Sequence, residues 1–285
     1  MRPYPPFSRA LIACFATLFL AGGPLRCDEI HNNLSSSERA DGWKLLFDGV
    51  SMANWIDPSK ESPPGDAWTI SEGCLKANPD PRITEDLISS TNYTDFELQF
   101  DWKIAPGGNS GVKYRIQKLV LLSHTTVPSS IKKFRDQVQY AMVNSPSGTR
   151  SQIKDGEEAQ IYVVGFEYQM IDNKQHPEAK NGGPYHTGAL YSIIGPSHSV
   201  QKPVGEFNHS MLVVKGKHVE HWLNGVKVVD TSLDTPTLKR NLDRRWGQSS
   251  QVYHLLVDQL QTSCPISLQN HGAAVWFRDI KIKPF

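Results

Sequence analysis

A strict two-residue alternation near position 100 constrains the fold of this chain more than any other feature of its sequence. Apolar side chains occupy every second position of residues 96–103, and each residue between them is charged or carries an amide. This period is typical of a β-strand that is buried on one face only. Shorter alternating segments follow, separated by turn-forming residues, at positions 112–117, 166–171, 211–215, 218–223, 226–230, 266–269 and 274–283. The chain is therefore predicted to be all-β with many antiparallel strands.

Two local signals refine this prediction near the C-terminus. Asn224 and Gly225 separate two alternating runs, and Asn-Gly favours the type I′ turn of a tight β-hairpin. In the last run the apolar phase shifts between Phe277 and Ile280, which predicts a β-bulge. Many short antiparallel strands with turns between them indicate a two-sheet sandwich.

Two segments do not fit the strand pattern. Residues 118–160 have mixed composition, and a connection longer than about 15 residues is usually functional or disordered. We interpret them as an insertion with one short helix at residues 130–140. Residues 237–260 form a smaller insertion, either a lid or surface decoration.

The N-terminus has the pattern of a secretory signal peptide. Residues 1–27 contain three Arg, no acidic residue and an apolar run of about a dozen residues that ends in Gly-Gly-Pro. A span of the membrane needs roughly 20 apolar residues, and no stretch here is that long. We expect export to the periplasm or the medium, a polar lead-in at residues 28–40 and a domain at 41–285. Of the cysteines, Cys74 and Cys264 would remain, as a disulfide or as two buried thiols.

The charge balance argues against a nucleic-acid partner. The chain has 30 Lys and Arg against 29 Asp and Glu, and removing residues 1–27 would leave an acidic surplus. Binding to phosphates needs a basic surplus. The sequence also has no Gly-x-Gly-x-x-Gly dinucleotide site.

Seven strings in the same order resemble the 3-keto-disaccharide hydrolase domain family. They cover residues 41–285 and are interrupted by the insertion. The strings lie at residues 42–55 (with LFDG), 68–75, 95–115 (with NSGV), 165–172 (GFEYQMID), 187–191 (TGALY), 202–208 (KPVGEFN) and 266–278 (with LQNHG). One departure is Phe207, where the family often has Trp.

The resemblance implies a concanavalin A-like lectin or glucanase jelly-roll sandwich. It also implies cleavage of glycosides whose C3 hydroxyl has been oxidised to a ketone, and hence an upstream sugar 3-oxidoreductase. A C3 ketone makes the C2 hydrogen acidic, so a base can remove it and the group on C1 can leave. Such a site needs a base, an acid near the leaving oxygen and donors for the enolate.

The polar residues of these strings supply the candidate site. We predict Glu167 or Asp172 as the base and His271 or His186 as the acid or a metal ligand. Substrate or enolate contacts are predicted for the remaining polar residues of these strands, Asn109, Lys113, Arg115, Gln169, Tyr191 and Gln269. A divalent ion on Glu167, Asp172, His186 and His271 is a further possibility, although no local metal motif is present.

Other interpretations remain open at this point. The same architecture also serves non-catalytic, lectin-like carbohydrate-binding modules. An ordinary glycoside hydrolase would pair Glu167 with a second carboxylate such as Asp101 or Glu97. Glu167 and Arg115 could instead form a structural ion pair, and Asn109–Gly111 could be only a tight turn.

Overall fold

Two β-sheets pack face to face in the computed structural model, which describes residues 31–56, 66–145 and 153–285. The predicted signal peptide lies outside these residues. The strands are β1 Lys44–Leu45, β2 Trp55–Ile56, β3 Trp68–Ser71, β4 Cys74–Ala77, β5 Ile83–Glu85, β6 Leu87–Ser89, β7 Phe96–Ile104, β8 Asn109–Ser123, β9 Ala159–Ile171, β10 Asn208–Lys215, β11 His218–Leu223, β12 Val226–Ser232, β13 Ser267–Leu268 and β14 Val275–Pro284.

The strands are divided between a front and a back sheet. The front sheet has the order β2-β6-β13-β8-β9-β5, and the back sheet has the order β12-β11-β10-β7-β14-β4-β3 with β1 beside β14. Strand β5 pairs with β9 in parallel, whereas the other ladders are antiparallel. This arrangement confirms the predicted jelly-roll sandwich.

The apolar core lies between the sheets, where alternate side chains of each strand meet. In β7, burial alternates along the whole strand, as its sequence predicts. Tyr114, Tyr168 and His221 bring polar atoms into this core, and each finds a partner: the imidazole of His221 lies 3.1 Å from the Tyr114 hydroxyl and donates to the Gly188 carbonyl at 3.0 Å. Burial lowers the pKa of His221 to about 4, so its ring is neutral in the folded protein.

Both local signals near the C-terminus are confirmed. Asn224 and Gly225 have φ of 49° and 82° between β11 and β12, the left-handed conformation that a type I′ turn requires. The pairing of β14 with β7 shifts register between Arg278 and Lys281, and Asp279 in this bulge has φ of 52°.

In the residues that the structure describes, one α-helix precedes β1, and three α-helices and two 3₁₀ helices lie between strands. They are α1 Ser36–Ala40, α2 Phe134–Asn144, α3 Pro236–Trp246, α4 Gln251–Val257 and the 3₁₀ helices Pro177–Asn181 and Gly183–Tyr185. Strand β8 continues to Ser123, so the connection to β9 begins later than predicted. Its helix lies four residues beyond the predicted position. The lead-in contains α1, which a capping box of Ser35 and Glu38 begins. Cys74 and Cys264 are buried and free.

Helices α2, α3 and α4 and the two 3₁₀ helices cover the outer face of the front sheet, and we call them the roof. The Gln139 amide of α2 donates to the Trp246 carbonyl of α3 at 2.6 Å, and Asn241 of α3 donates to the Ile193 carbonyl at 2.8 Å. Residues 237–260 therefore belong to a cover over one sheet face. None of the helices in the described part of the chain is long and apolar enough to cross a bilayer.

Candidate active site

Glu167 lies on the outer face of the front sheet, beneath the roof. Its strand pairs with β8, where Lys113 is directly opposite and Gly111 is two positions along. A Cβ atom at Gly111 would lie 2.5 Å from Oε1 of Glu167, so the missing side chain makes room for the carboxyl group. Asn109–Gly111 is the start of a strand and not a tight turn, and Gly111 is needed there for space.

The surroundings of Glu167 raise the pKa of its carboxyl group to about 7. The largest cause is burial, because the group is shielded from water that would stabilise its charge. The positive charges of Lys113 and Arg245 lower the pKa, whereas the negative charges of Asp86 and Glu178 raise it. A carboxyl group with a pKa near neutrality is suited to accept and return a proton.

Lys113 places a positive charge beside this carboxyl group. Its ammonium group lies 3.4 Å from the Asp86 carboxylate, which also accepts a hydrogen bond from Ser267 at 2.9 Å. Burial alone would lower the pKa of Lys113, but the carboxylates of Asp86 and Glu167 raise it above the ordinary value. Lys113 is therefore a cation at the site, fixed by Asp86.

Three amide side chains in the same region have buried atoms without a hydrogen bond to any residue that the structure describes. These atoms are both amide atoms of Gln169, Oε1 of Gln269 and Oδ1 of Asn109. Gln169 lies opposite Gly111 on β9, and Gln269, which directly follows β13, donates its backbone N–H to the Gly111 carbonyl on the other side. A buried polar atom without a partner costs about 1–3 kcal/mol. Clustered around a carboxyl group, such atoms indicate a place where a hydroxylated ligand binds.

Tyr191 and Glu178 form the side wall of the site. The backbone N–H of Tyr191 donates to the Glu167 carbonyl, which places the phenol beside the carboxyl group. Its hydroxyl donates to Glu178, which also accepts from Asn109 at 3.1 Å. The guanidinium of Arg245 lies 4.5 Å from the centre of the Tyr191 ring.

His271 lies at the mouth of the site, where it is exposed. Although the residue as a whole is exposed, partial removal of water from its imidazole lowers the pKa of that group, and the charge of Lys113 lowers it further. Glu167, Tyr191, Gln269 and His271 line a small recess on the sheet. A larger cleft of about 610 Å³ adjoins it above, between the roof helices, and His271 lines this cleft too.

Comparison with known proteins identifies the family. A family model described as a 3-keto-alpha-glucoside-1,2-lyase-like domain matches residues 42–283. The chain belongs to this family. It is 30% identical over 261 residues to the 3-keto-disaccharide hydrolase of Bacteroides thetaiotaomicron, an alignment that covers 86% of this chain and 79% of that protein.

Solved structures agree with this assignment. A candidate glycosyl hydrolase from Parabacteroides distasonis has a TM-score of 0.65 at 25% identity, over 90% of this chain and 100% of that one. A second candidate glycosyl hydrolase from the same strain has a TM-score of 0.53 at 23% identity, over 85% and 99% of the two chains, and shows the fold alone. The family and these relatives support a carbohydrate-active, glycosidase-type enzyme.

Most of the side chains predicted for this family member meet in one place, but Arg115 does not. The ladder of β8 and β9 shifts register between Tyr114 and Lys118, and Arg115 has φ of 50° there, so its side chain leaves the site face. Its guanidinium donates to the carbonyls of Thr94 and Gly216 at 2.6 and 2.7 Å and to that of Thr262. The predicted place of Arg115 in the site is wrong, as is an ion pair with Glu167, because its charged partner is Asp95.

Asp172 and His186 also lie away from the recess. The Asp172 carboxylate accepts from the backbone N–H groups of Gly107, Lys174 and Gln175 at 2.9–3.1 Å. Burial raises its pKa, but these three hydrogen bonds outweigh burial and hold the pKa below the ordinary value. His186 contacts the Ala179 carbonyl at 3.0 Å. We assign both residues to positioning the loop that carries Glu178.

The other predicted pairings of Glu167 are not formed. Asp101 and Glu97 lie on β7 in the back sheet, so neither can flank a bond together with Glu167. The proposed metal ligands do not converge either. In the described ranges, the only group of three metal-ligating side chains is His218, Glu220 and Asp230, at the edge of the back sheet.

Sequence reasoning missed Asp86, Glu178 and Arg245. Arg245 lies in α3, where the sequence has no two-residue alternation that would place it on a strand. Glu178 lies in a short 3₁₀ helix after β9. Asp86 directly precedes β6, next to the buried Leu87. An acidic residue at the edge of a buried strand is a usable signal, whereas the approach of Arg245 to Tyr191 depends on tertiary packing alone.

Proposed function

We propose that this protein cleaves the glycosidic bond of 3-keto-glycosides by elimination, with Glu167 as the base. The observation that supports this most strongly is the buried Glu167 carboxyl group with its pKa near 7, next to the cation of Lys113 and unpartnered amides. Removing a proton from carbon needs a base that is partly ionised at neutral pH and shielded from water. An exposed carboxylate would be too weak a base.

The elimination breaks the C2–H bond and then the C1–O bond. Glu167 takes the C2 proton, and the electron pair of that bond forms the C2=C3 bond of an enolate. When the C3 carbonyl re-forms, the pair moves to make C1=C2 and the leaving oxygen departs with its electrons. Addition of water across C1=C2 then gives the free 3-keto sugar, so that the sum of both steps is hydrolysis.

The neighbouring residues have distinct roles in this scheme. Lys113 and the Gln169 amide stabilise the negative charge that develops on the C3 oxygen, as preorganised donors do in other enzymes. His271 at the mouth, in its imidazolium form, gives its proton to the leaving oxygen, and its lowered pKa makes that form a stronger acid. Asn109 and Gln269 accept hydrogen bonds from sugar hydroxyls, and Tyr191 forms the wall against which the ring lies.

The test is release of a chromogenic leaving group from a 3-keto-glucoside and from the matching unoxidised glucoside. We expect release only from the keto substrate, at least 1,000-fold slower for Glu167→Gln than for the unmodified protein. The matched control is Glu97→Gln, the same change on the outer face of the back sheet. Release from neither substrate, together with measurable sugar binding, would leave a lectin-like module.

Deuterium exchange separates elimination from direct hydrolysis. In D₂O, elimination followed by addition of solvent leaves more deuterium at C2 of the product than the free 3-keto sugar takes up in the same time without the protein, whereas attack of water at C1 leaves no such excess. Mass spectrometry of the released sugar reads the difference. Product without this excess would contradict the role of Glu167 as a carbon base.

We further propose that the protein is exported and acts after an oxidoreductase that makes the C3 ketone. The pattern of residues 1–27 supports export, and the chemistry requires a source of oxidised sugar. N-terminal sequencing of the protein from the producing cells tests export: a start near residue 28 supports it and a start at Met1 contradicts it.

A further inference from the structure

The cleft above the recess has a strongly basic lining. Three arginines of the roof face it: Arg135 from α2, and Arg244 and Arg245 from α3. The cleft measures about 610 Å³ and shares Tyr191 and His271 with the recess that contains Glu167. Because the cleft adjoins the recess of the proposed base, it is the space available to the group that departs.

The charges of these arginines are only partly balanced. Arg135 contacts its neighbour Asp136 at 3.2 Å, and Glu178, the carboxylate that lines the cleft, already bonds to Tyr191 and Asn109. Neither Arg244 nor Arg245 forms an ion pair with a residue in the described ranges. A cleft with such a surplus attracts anions, because low-dielectric walls focus the field.

The walls between the arginines are aromatic. Phe134 is 40% exposed at the mouth, its ring packs edge-on against Tyr162 at 5.1 Å, and Tyr185 and Trp246 complete the lining. An exposed Phe beside a cleft offers a surface on which a sugar or aromatic ring stacks. Arg244 is exposed and reaches the same space from α3.

We propose that this cleft binds a leaving group that consists of a ring with an anionic substituent such as a carboxylate. The proposal rests on the proposed function, because it assigns the leaving side of the same substrate. Arg244 is the residue that selects the charge, since it lines the cleft away from Glu167 and takes no part in the elimination. Arg245 reaches both spaces and is not suitable as a test.

The experiment uses pairs of substrates that differ in one charge. One pair is the 3-keto-glucosides of 4-hydroxybenzoate and 4-hydroxybenzamide. A second pair has glucuronate or glucose as the departing sugar and distinguishes an aromatic from a sugar acid. Values of kcat/KM are measured for the unmodified protein, for Arg244→Gln and for Arg240→Gln, a control that removes the same charge one turn earlier on α3 and outside the cleft.

We expect Arg244→Gln to lower kcat/KM about fivefold or more for the acidic member of at least one pair and less than twofold for the neutral member. Arg240→Gln should change neither, and added salt should reduce the preference of the unmodified protein. An acid-to-neutral ratio that is the same in all three proteins overturns the proposal while the elimination stands.

Failure of the proposed function gives a different result, because no substrate is then turned over. Binding of the same glycosides is then measured by calorimetry. Tighter binding of the acidic member that depends on Arg244 supports an anion subsite even so. Equal binding of both members in all three proteins contradicts it.

Discussion

The outer faces of the two sheets have the same alternating polar pattern but very different surroundings. On the back sheet, polar side chains are partly or fully exposed and contact each other, as Asp101 does with His209 at 2.8 Å and Lys227 with Glu220 at 3.2 Å. On the front sheet, the roof buries Glu167 and Gln169, and the amide of Gln169 has no partner among the described residues. The same kinds of residue thus form an ordinary surface on one sheet and a chemically poised site on the other.

The difference shows that the cover, more than the residue types, creates the candidate site. Pairing of exposed charges contributes little to stability. Burial without full pairing shifts pKa values and leaves hydrogen-bonding groups ready for a ligand. Four measurements test whether the cover produces this difference.

The largest effect is expected at Arg115, which the bulge removes from the roofed face. Arg115→Met leaves the carbonyls of Thr94, Thr262 and Gly216 without their donor and should lower the free energy of unfolding by about 4 kcal/mol. Urea denaturation measures the change. The turnover of folded molecules should stay the same.

The matched control for Arg115 is Arg278→Met on the outer face of the back sheet, where we expect a change below about 1 kcal/mol. If Arg115→Met kept its stability and lost activity, Arg115 would have to act at the site. If the Met variant does not fold, stability and turnover are measured for Arg115→Lys, which retains the charge.

The second effect concerns the space beside Glu167. Gly111→Ala puts a Cβ atom into the position of the carboxyl group, so the side chain must move, while the strand keeps its pairing. We expect kcat to fall about 100-fold, as for a misplacement of about 1 Å. Circular dichroism checks that the fold is kept. Gly183→Ala, whose Cβ would only touch Gly195 at 3.8 Å, should change kcat less than twofold.

The third effect is the change in the free energy of unfolding when the carboxyl group of Glu167 on β9, or that of Asp172 just after β9, is replaced by an amide of the same shape. The folded protein binds the Glu167 proton more tightly than the unfolded chain does, so stability falls as pH rises from 4.5 to 7. Glu167→Gln should therefore raise the free energy of unfolding by about 2 kcal/mol at pH 8 and much less at pH 5.

Asp172→Asn should have the opposite sign. Asp172 stabilises the fold above its unfolded pKa, and this contribution is lost as pH falls through its lowered folded pKa. The variant loses the charge that accepts three hydrogen bonds, so its free energy of unfolding should be about 1–2 kcal/mol lower at pH 8. If both variants changed the free energy of unfolding in the same direction at pH 8, the two carboxyl groups would not have opposite pKa shifts.

The fourth effect is the dependence of stability on pH that His221 causes, which Glu167 offsets in the unmodified protein. His221 is neutral in the fold with its pKa at about 4, whereas the unfolded chain protonates near 6.5, so stability falls as pH drops through this window. Glu167 acts in the opposite direction over nearly the same range. The stability of the unmodified protein should therefore depend less on pH between 4.5 and 6.5 than that of Glu167→Gln. The free energy of unfolding of the variant should rise by about 1–2 kcal/mol as the pH rises over this range, and the lowered pKa of His271 acts in the same direction. A flat profile in the variant would argue against a neutral His221.

The strands of the back sheet could be predicted from sequence because they are buried on one face only, whereas β8 and β9 of the front sheet are buried on both faces. Alternation identified β7, and the Asn224–Gly225 turn and the bulge near Asp279 followed from local backbone requirements. The positive φ of Arg115 gave no such signal, because Arg is not a residue that favours this conformation. The phase of the side chains changes there, and alternation alone cannot show it.

The site could be predicted only where its residues lie on strands. Glu167, Gln169 and Lys113 share the face that their spacing predicts. The role of Asp172 could have been anticipated, because an Asp that follows a strand often caps the turn two and three residues on. Arg245 and Glu178 come from separate helical segments, and their convergence depends on packing that the sequence does not encode locally.

The roof is assembled from stretches of chain far apart in sequence, while Lys113, Glu167 and Gln269 all belong to the front sheet or directly follow one of its strands. The link between Gln139 and Trp246 joins two of these stretches into one cover. For protein engineering, an exchange of roof segments would change the walls of the cleft and the burial of Glu167 together, while the side chains of the sheet keep their places.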